Sequence, residues 1–245
     1  MLYSLQLYTV RGPLETDLPG TIARVAGLGY AAVEPYNFVA TADALAEALR
    51  ANGLSAPSGH APLLRADQDE IFEAARKLGI GTVIDPHVDR ARWTTEEDIK
   101  ATAEALNAAA RKGAEYGIRV GYHNHEFELE TRVGGRAALE VLAGHLDPEV
   151  VLEVDTYWAA VGGEDAAALL RRLGDRVRFI HIKDGPLTKE DKDQVAVGAG
   201  KMPVWDVIEA AASVEVGVVE LDDFSGDIFD AVADSLTYLK AGKNA

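Results

Sequence analysis

Residues 121–130, GYHNHEFELE, gather two histidines and three glutamates into ten positions. They follow Gly117-Ile118-Arg119-Val120, an apolar, β-branched lead-in that reads as a buried strand. Imidazole titrates near neutral pH, and imidazoles and carboxylates both ligate divalent cations. Such a cluster at the point where a strand leaves the core can hold a metal or move protons. Other apolar runs end in similar groups: Gln6 and Arg11, Glu34, His60, Asp85 and His87. Later in the chain come Glu153, Asp155 and Trp158, then His181, Lys183 and Asp184, then Glu220, Asp222 and Asp223. Five of the six histidines fall at such ends. Only His145 lies elsewhere, near a helix end, where the C-terminal dipole accounts for it. One histidine of this kind is usually a satisfied core group; five at equivalent positions are better explained by a polar, metal-binding site.

Asp155, His181 and Glu220 each sit late in an apolar strand, so in a closed sheet their side chains converge near the axis. Two carboxylates and an imidazole suit one Mn²⁺, Mg²⁺, Co²⁺ or Zn²⁺ ion, with manganese favoured. A fourth ligand would come from strand five. The bland alternative is rim charges paired with Lys183, Arg178 or Arg119, which is the better account of any one acid but not of the three together. His60, His87, His125 and Glu34 are candidate proton acceptors; an imidazole needs little tuning for that role, whereas a carboxylate needs burial to raise its pKa. Lys183 follows His181 by two, faces the same side, and either polarises a substrate oxygen or pairs with Asp184 or Asp155. Glu153 shares the face of Asp155 and reads as a partner of a ligand. Lys189 to Asp193 reads most simply as a solvated charge run.

The elements that must position these groups recur as a helix ending in Gly, a short apolar run, and a polar turn. The runs are LYSLQLY (2–8), LGYAAVEPYN (28–37), NGLSAPSGHAP (52–62), LGIGTVIDPH (78–87), YGIRVGYHNH (116–125), PEVVLEVDTYW (148–158), DRVRFIHIKDG (175–185) and VEVGVVELDD (214–223). Gly29, Gly53, Gly79 and Gly117 stand where a left-handed residue closes a helix. Apolar spacing of three and four, as in Ile71, Ala74, Ala75 and Leu78, marks the helices between. Eight strands alternating with helices predict a single (β/α)8 TIM-barrel domain of the α/β class over residues 1–245. An open doubly wound sheet is the competitor, but LQLYTVRGPLE lacks its Gly-rich phosphate turn. Gly185 to Met202 is the longest loop, expected to be mobile.

With 245 residues and 48% hydrophobic content the chain can bury a large core. The absence of cysteine excludes disulfides, thiolate zinc sites and thiol nucleophiles, and fits a reducing cytoplasm. No run approaches a membrane span, and the opening MLYSLQLYTVRG lacks a basic leader region. A net charge of −16 repels phosphate backbones and argues against nucleic acid as a partner.

Together SLQLYTVR, SGHAP, YHNHEFE, LEVDTYWA, FIHIKDG, VGAGKMPVWDVI and VELDD resemble the xylose-isomerase-like TIM-barrel superfamily of sugar isomerases, epimerases and related dehydratases. The resemblance covers nearly the whole chain. It implies one metal held by Glu, Asp, His and Glu at the ends of strands five to eight, here Asp155, His181 and Glu220, spaced by 26 and 39 residues. Strand five departs from the pattern, whose usual form resembles LALENH. His123, 32 residues before Asp155, takes the place of the glutamate, with His125 or Glu126 as substitutes if the strand end is shifted. The related ketose epimerases use two metal-bound glutamates; His123 in place of one resembles instead the inosose-dehydratase-like and keto-glycoside-lyase-like branches, which use β-elimination.

The resemblance therefore implies a metal-dependent isomerase or epimerase acting on a keto-sugar or keto-polyol by proton abstraction next to a carbonyl, with lyase or dehydratase chemistry as the alternative. Catalysis would fall to Glu220, His125, His60 and Lys183. Substrate would be held by Gln6, Glu34, His87, Glu126 and Trp158, the last stacking on a sugar face. An abasic-site endonuclease shares the barrel but needs a basic groove. A homo-oligomer or an accessory sugar-binding subunit is compatible with the chain, although retention of Asp155, His181 and Glu220 argues against lost catalysis.

Overall fold

A computed structural model describes residues 1–243. Eight parallel strands form one sheet among these residues: β1 (Leu2–Gln6), β2 (Ala32–Glu34), β3 (Ser58–His60), β4 (Thr82–Asp85), β5 (Arg119–His123), β6 (Val151–Asp155), β7 (Val177–Ile182) and β8 (Val216–Val219). The hydrogen-bonded order is β2-β1-β8-β7-β6-β5-β4-β3, so chain neighbours are sheet neighbours all the way round. Closure between β2 and β3 rests on isolated bridges, Ala32 to Ser55 and Tyr36 to His60, rather than on a ladder. Helices separate successive strands, and the fold is the expected (β/α)8 barrel. The last two residues of the predicted 1–245 span lie outside the described residues.

Strands β2 and β3 are only three residues long, for a visible reason. Pro35 follows β2 directly and Pro57 precedes β3, and proline has no N–H to give to a ladder. Gly29, Gly53, Gly79 and Gly117 all have positive φ, so each helix before β2 to β5 closes through a left-handed residue. The sequence gives no warning of a small hairpin, Arg132–Val133 with Arg136–Ala137, whose turn uses Gly134 and Gly135 at positive φ.

Period-two alternation along the strands divides the barrel interior into levels. Ile84, Val151, Phe179, Val216 and Val218 form a separate apolar cluster. Two residues further along their own strands stand Glu153, His181 and Glu220. The apolar plug therefore supports a polar level at the C-terminal ends of the strands. Each plug side chain is worth roughly 1.5–3 kcal/mol of burial, which helps offset the cost of enclosing charges above it.

Candidate active site

Glu153 and Glu34 stand at the centre of the polar level, each fully enclosed. Glu153 Oε2 lies 2.6 Å from His60 Nε2, 3.1 Å from His123 Nδ1 and 3.1 Å from His181 Nε2. Glu34 accepts from Gln6 Nε2 at 2.8 Å and from the Ser58 hydroxyl, and its Oε1 is 2.9 Å from His181 Nε2. Gln6 and Glu34 are thus withdrawn from solvent and engaged with each other. His181 spans the level: its other nitrogen, Nδ1, is 2.7 Å from Glu220 Oε2.

Lys183 lies one step nearer the barrel mouth. Its ammonium is buried, 2.9 Å from Asp155 Oδ2, 2.7 Å from Glu220 Oε2 and 2.6 Å from Asp222 Oδ2. Of the two ion pairs the sequence offers Lys183, the structure has the one to Asp155 and not one to Asp184. Asp222, two residues beyond Glu220, also accepts from Trp158 Nε1 and Gln194 Nε2. The VELDD pattern carried that signal, since period two puts Glu220 and Asp222 on one side.

His123, Asp155, His181 and Glu220 each offer one ligand atom, and these atoms all lie within 4.8 Å of one another. All four residues are buried. A second group, His60, His123, Glu153 and His181, meets the same condition. Asp155 has one oxygen committed, Oδ1 capping the next helix through Trp158 N at 2.8 Å. Its Oδ2 is enclosed and meets the Lys183 ammonium as an ion pair at 2.9 Å, whereas Glu153 Oε1 is enclosed without a hydrogen-bond partner. Two buried imidazoles and two buried carboxylates converging in this way are a donor set that fits a divalent cation. Glu126, the substitute ligand, instead faces Arg90 and Lys189 and belongs to neither quartet.

Two residues of the HNH run hold this geometry. The Asn124 side chain accepts from Asp155 N at 3.1 Å and reaches Asp155 O at 3.4 Å, tying the ends of β5 and β6 together. Glu128 accepts from Tyr122 Oη at 2.6 Å and His125 N at 2.9 Å, fixing the turn that carries His125. His125 and His87 have ring centroids 5.6 Å apart, and the Nδ1 of each is enclosed without a partner. Both rings line a cavity of about 270 Å³ together with His60, His123, Glu220 and Asp222.

The charge states follow from burial and neighbours. Burial alone would raise Glu153 and Glu220, yet the imidazoles of His181 and His60 hold Glu153 well below the carboxylate range, and Lys183 and His181 do the same for Glu220. Burial opposes charge on His181 and Lys183, but the surrounding carboxylates carry both well above their ordinary values. His123 is pushed well below by burial and by His181, and His125 falls to about 4 by burial and the nearby Lys183. Asp155 rises to about 6 through burial. At neutral pH the site thus presents ionised Glu153 and Glu220 beside neutral His123 and His125.

The loop 185–202 is tied down: Asp184 accepts from the N–H groups of Gly198, Gly200 and Met202, and Gln194 joins it to Asp222. The run Lys189–Asp193 is exposed throughout, as expected of solvated charges, and within it Lys189 reaches Glu130 at 2.6 Å and lines a second cavity with Asp191. Trp158 is buried with its indole N–H engaged, and it lines that second cavity rather than standing free.

Residues 22–241 match the family model described as a xylose isomerase-like TIM barrel. Among curated proteins the chain is 26% identical over 171 residues to an inosose dehydratase of Lacticaseibacillus casei, covering 61% of this chain and 56% of that protein. The chain thus spans about half the length of that relative. A sugar phosphate isomerase/epimerase from Parabacteroides distasonis superposes with a TM-score of 0.86 at 24% identity, over 98% of this chain and 94% of that one. The IOLI protein, crystallised with a binding zinc atom, superposes with a TM-score of 0.74 at 17% identity, over 98% and 97%. At these identities the structural likeness speaks for the fold.

Proposed function

The chain belongs to the xylose isomerase-like TIM barrel family, and on that premise we propose that it is a divalent-metal-dependent enzyme that abstracts a proton next to the carbonyl of a keto-sugar or keto-polyol. The observation that carries this reading is the buried convergence of His123, Asp155, His181 and Glu220. These four would hold the ion, and the zinc in IOLI supports a cation in such a barrel. When bound, the cation supplies charge stabilisation for oxygens that become negative as the proton leaves.

The remaining steps belong to side chains. Glu220 lines the cavity and, as the family resemblance implies, would serve as both ligand and base, taking the proton from carbon. Electrons of the broken C–H bond pass into the carbonyl, giving an enediolate, while Lys183, buried against Asp155, Glu220 and Asp222 and lining neither cavity, offsets the charge of those carboxylates. His125 and His87 are available across the cavity as neutral imidazoles to relay a proton. His60 is anchored on Glu153 and lines the same wall. Returning the proton to carbon completes an isomerisation or epimerisation.

A second reading is β-elimination, in which the enediolate collapses by expelling a hydroxyl that takes a proton and leaves as water. Two points favour it: the family resemblance implies that His123 takes a place usually held by a glutamate, and inosose dehydratases are among the relatives. Chelation followed by manganese or zinc add-back should switch turnover of a panel of 3-keto-hexoses and inososes off and on. Deuterium from solvent appearing in recovered sugar identifies proton return; loss of water by mass identifies elimination. Turnover indifferent to metal would remove the proposal.

A further inference from the structure

Beside the reaction cavity lies a second one of about 340 Å³. Tyr8, His125 and Asp222 line both, so the two are lobes of one opening. The first lobe falls just below the ~300–1,000 Å³ typical of small-molecule sites, room for one ring rather than a longer substrate.

Three cations reach the second lobe from three loops that the sequence separates widely: Arg11 after β1, Arg90 after β4 and Lys189 after β7. Arg90 and Lys189 are held by Glu126. Arg11 lies over the Tyr8 ring at 4.2 Å, donates to Tyr8 O, and has no ion pair among the described residues. Four carboxylates face the same space, Glu126, Asp191, Asp222 and Asp223. An anion entering here would meet these acids, and a cation the three bases. A neutral polyol meets neither difficulty, because its hydroxyls donate to carboxylates while its oxygens accept from guanidinium and ammonium. Trp158 adds an aromatic wall, and aromatic faces suit the apolar side of a sugar ring.

One backbone feature points the same way. Leu187 has a φ of 65°, a left-handed conformation unfavourable for a branched side chain, two residues before Lys189. Strain of this kind persists where surrounding structure aims a loop at a ligand, and here the loop delivers Lys189 and Asp191 to the lobe.

We propose that the second lobe is a subsite for a second neutral sugar ring, so that the substrate is a two-part glycoside with its reacting ring in the first lobe and its joined ring between Arg11, Asp223 and Trp158. The proposal rests on the sugar reading above, but binding tests it without turnover. Metal-free, full-length protein would be titrated by NMR with glucose, glucose 6-phosphate, cellobiose, maltose and trehalose, then compared with Arg11→Ala and Asp223→Asn. At least one disaccharide should bind about tenfold or more tightly than glucose. Both substitutions should remove most of that advantage while leaving glucose affinity unchanged. The proposal is overturned if no disaccharide is preferred, if none binds, if glucose 6-phosphate binds best, or if the preference survives both substitutions. A chemistry that proved metal-independent would leave the binding preference standing, so the two failures are distinguishable.

Discussion

Glu153 gathers three imidazoles around one oxygen, and two of them, His123 and His181, belong to the proposed ligand set. A carboxylate on the far nitrogen of a ligating histidine fixes its tautomer and raises its basicity. Glu153→Gln should therefore weaken zinc or manganese binding by about 10–100-fold, read by competition with a chromophoric chelator, while circular dichroism reports an intact fold. The same site predicts a pH dependence. Asp155, lifted to about 6 by burial, must lose its proton before binding a cation, and so must the His181 imidazolium. Affinity should fall as pH drops, by up to about tenfold per unit for each proton displaced; calorimetry in buffers of different ionisation enthalpy would count the protons released, and a pH-independent affinity would contradict the assignment. The sequence announced that Asp155, His181 and Glu220 converge, because strand-end position and period two are local properties. It did not announce depth. Glu153 and Asp155 read as one face, yet Glu153 lies on the three-histidine level and Asp155 against Lys183, and Gln6 and Glu34 proved to be partners of each other.

The turn after β5 shows how an element carries a cost for the site. Glu128 is buried and pushed up to about 8 while it holds Tyr122 and the His125 N–H. Its folded pKa lies above its unfolded value, so its stabilising contribution is complete below about pH 4.5 and is lost as pH rises through 8. Urea unfolding should show stability declining across that window with a slope of at most about 1.4 kcal/mol per pH unit from this group, and Glu128→Gln should flatten it. The loop after β7 makes a separate prediction. Asp184 gathers four N–H groups of that loop, those of Gly185, Gly198, Gly200 and Met202, so Asp184→Ala should raise hydrogen exchange at Gly198, Gly200 and Met202 by at least about tenfold and leave the barrel strands protected. Side chain to backbone bonds of this kind leave no periodic trace, which is why the segment reads as free in sequence. The C′ glycines, by contrast, were legible, because positive φ selects glycine directly. Strand lengths were not: Pro35 and Pro57 shorten β2 and β3 to less than their apolar runs.

Over the whole molecule, the alternation of eight apolar runs with helices made the barrel readable, since the order of elements leaves few topologies open. What it concealed was the company kept at the mouth. Arg11, Arg90 and Lys189 are remote in sequence and meet only because three loops end on one rim. Cation binding should also be visible globally: a metal held by four buried side chains binds the folded chain alone, so a concentration 100 times its Kd should stabilise by about 2.7 kcal/mol. That appears as a rise in Tm on adding zinc or manganese, absent in a variant carrying His181→Ala. The most direct test of the account is a crystal of the protein soaked in manganese and measured at the metal's absorption edge. One anomalous peak bonded to His123, Asp155, His181 and Glu220, at roughly 2.0–2.3 Å, is the predicted result. A peak held by His60 and Glu153 instead, or none at full soaking concentration, would contradict it.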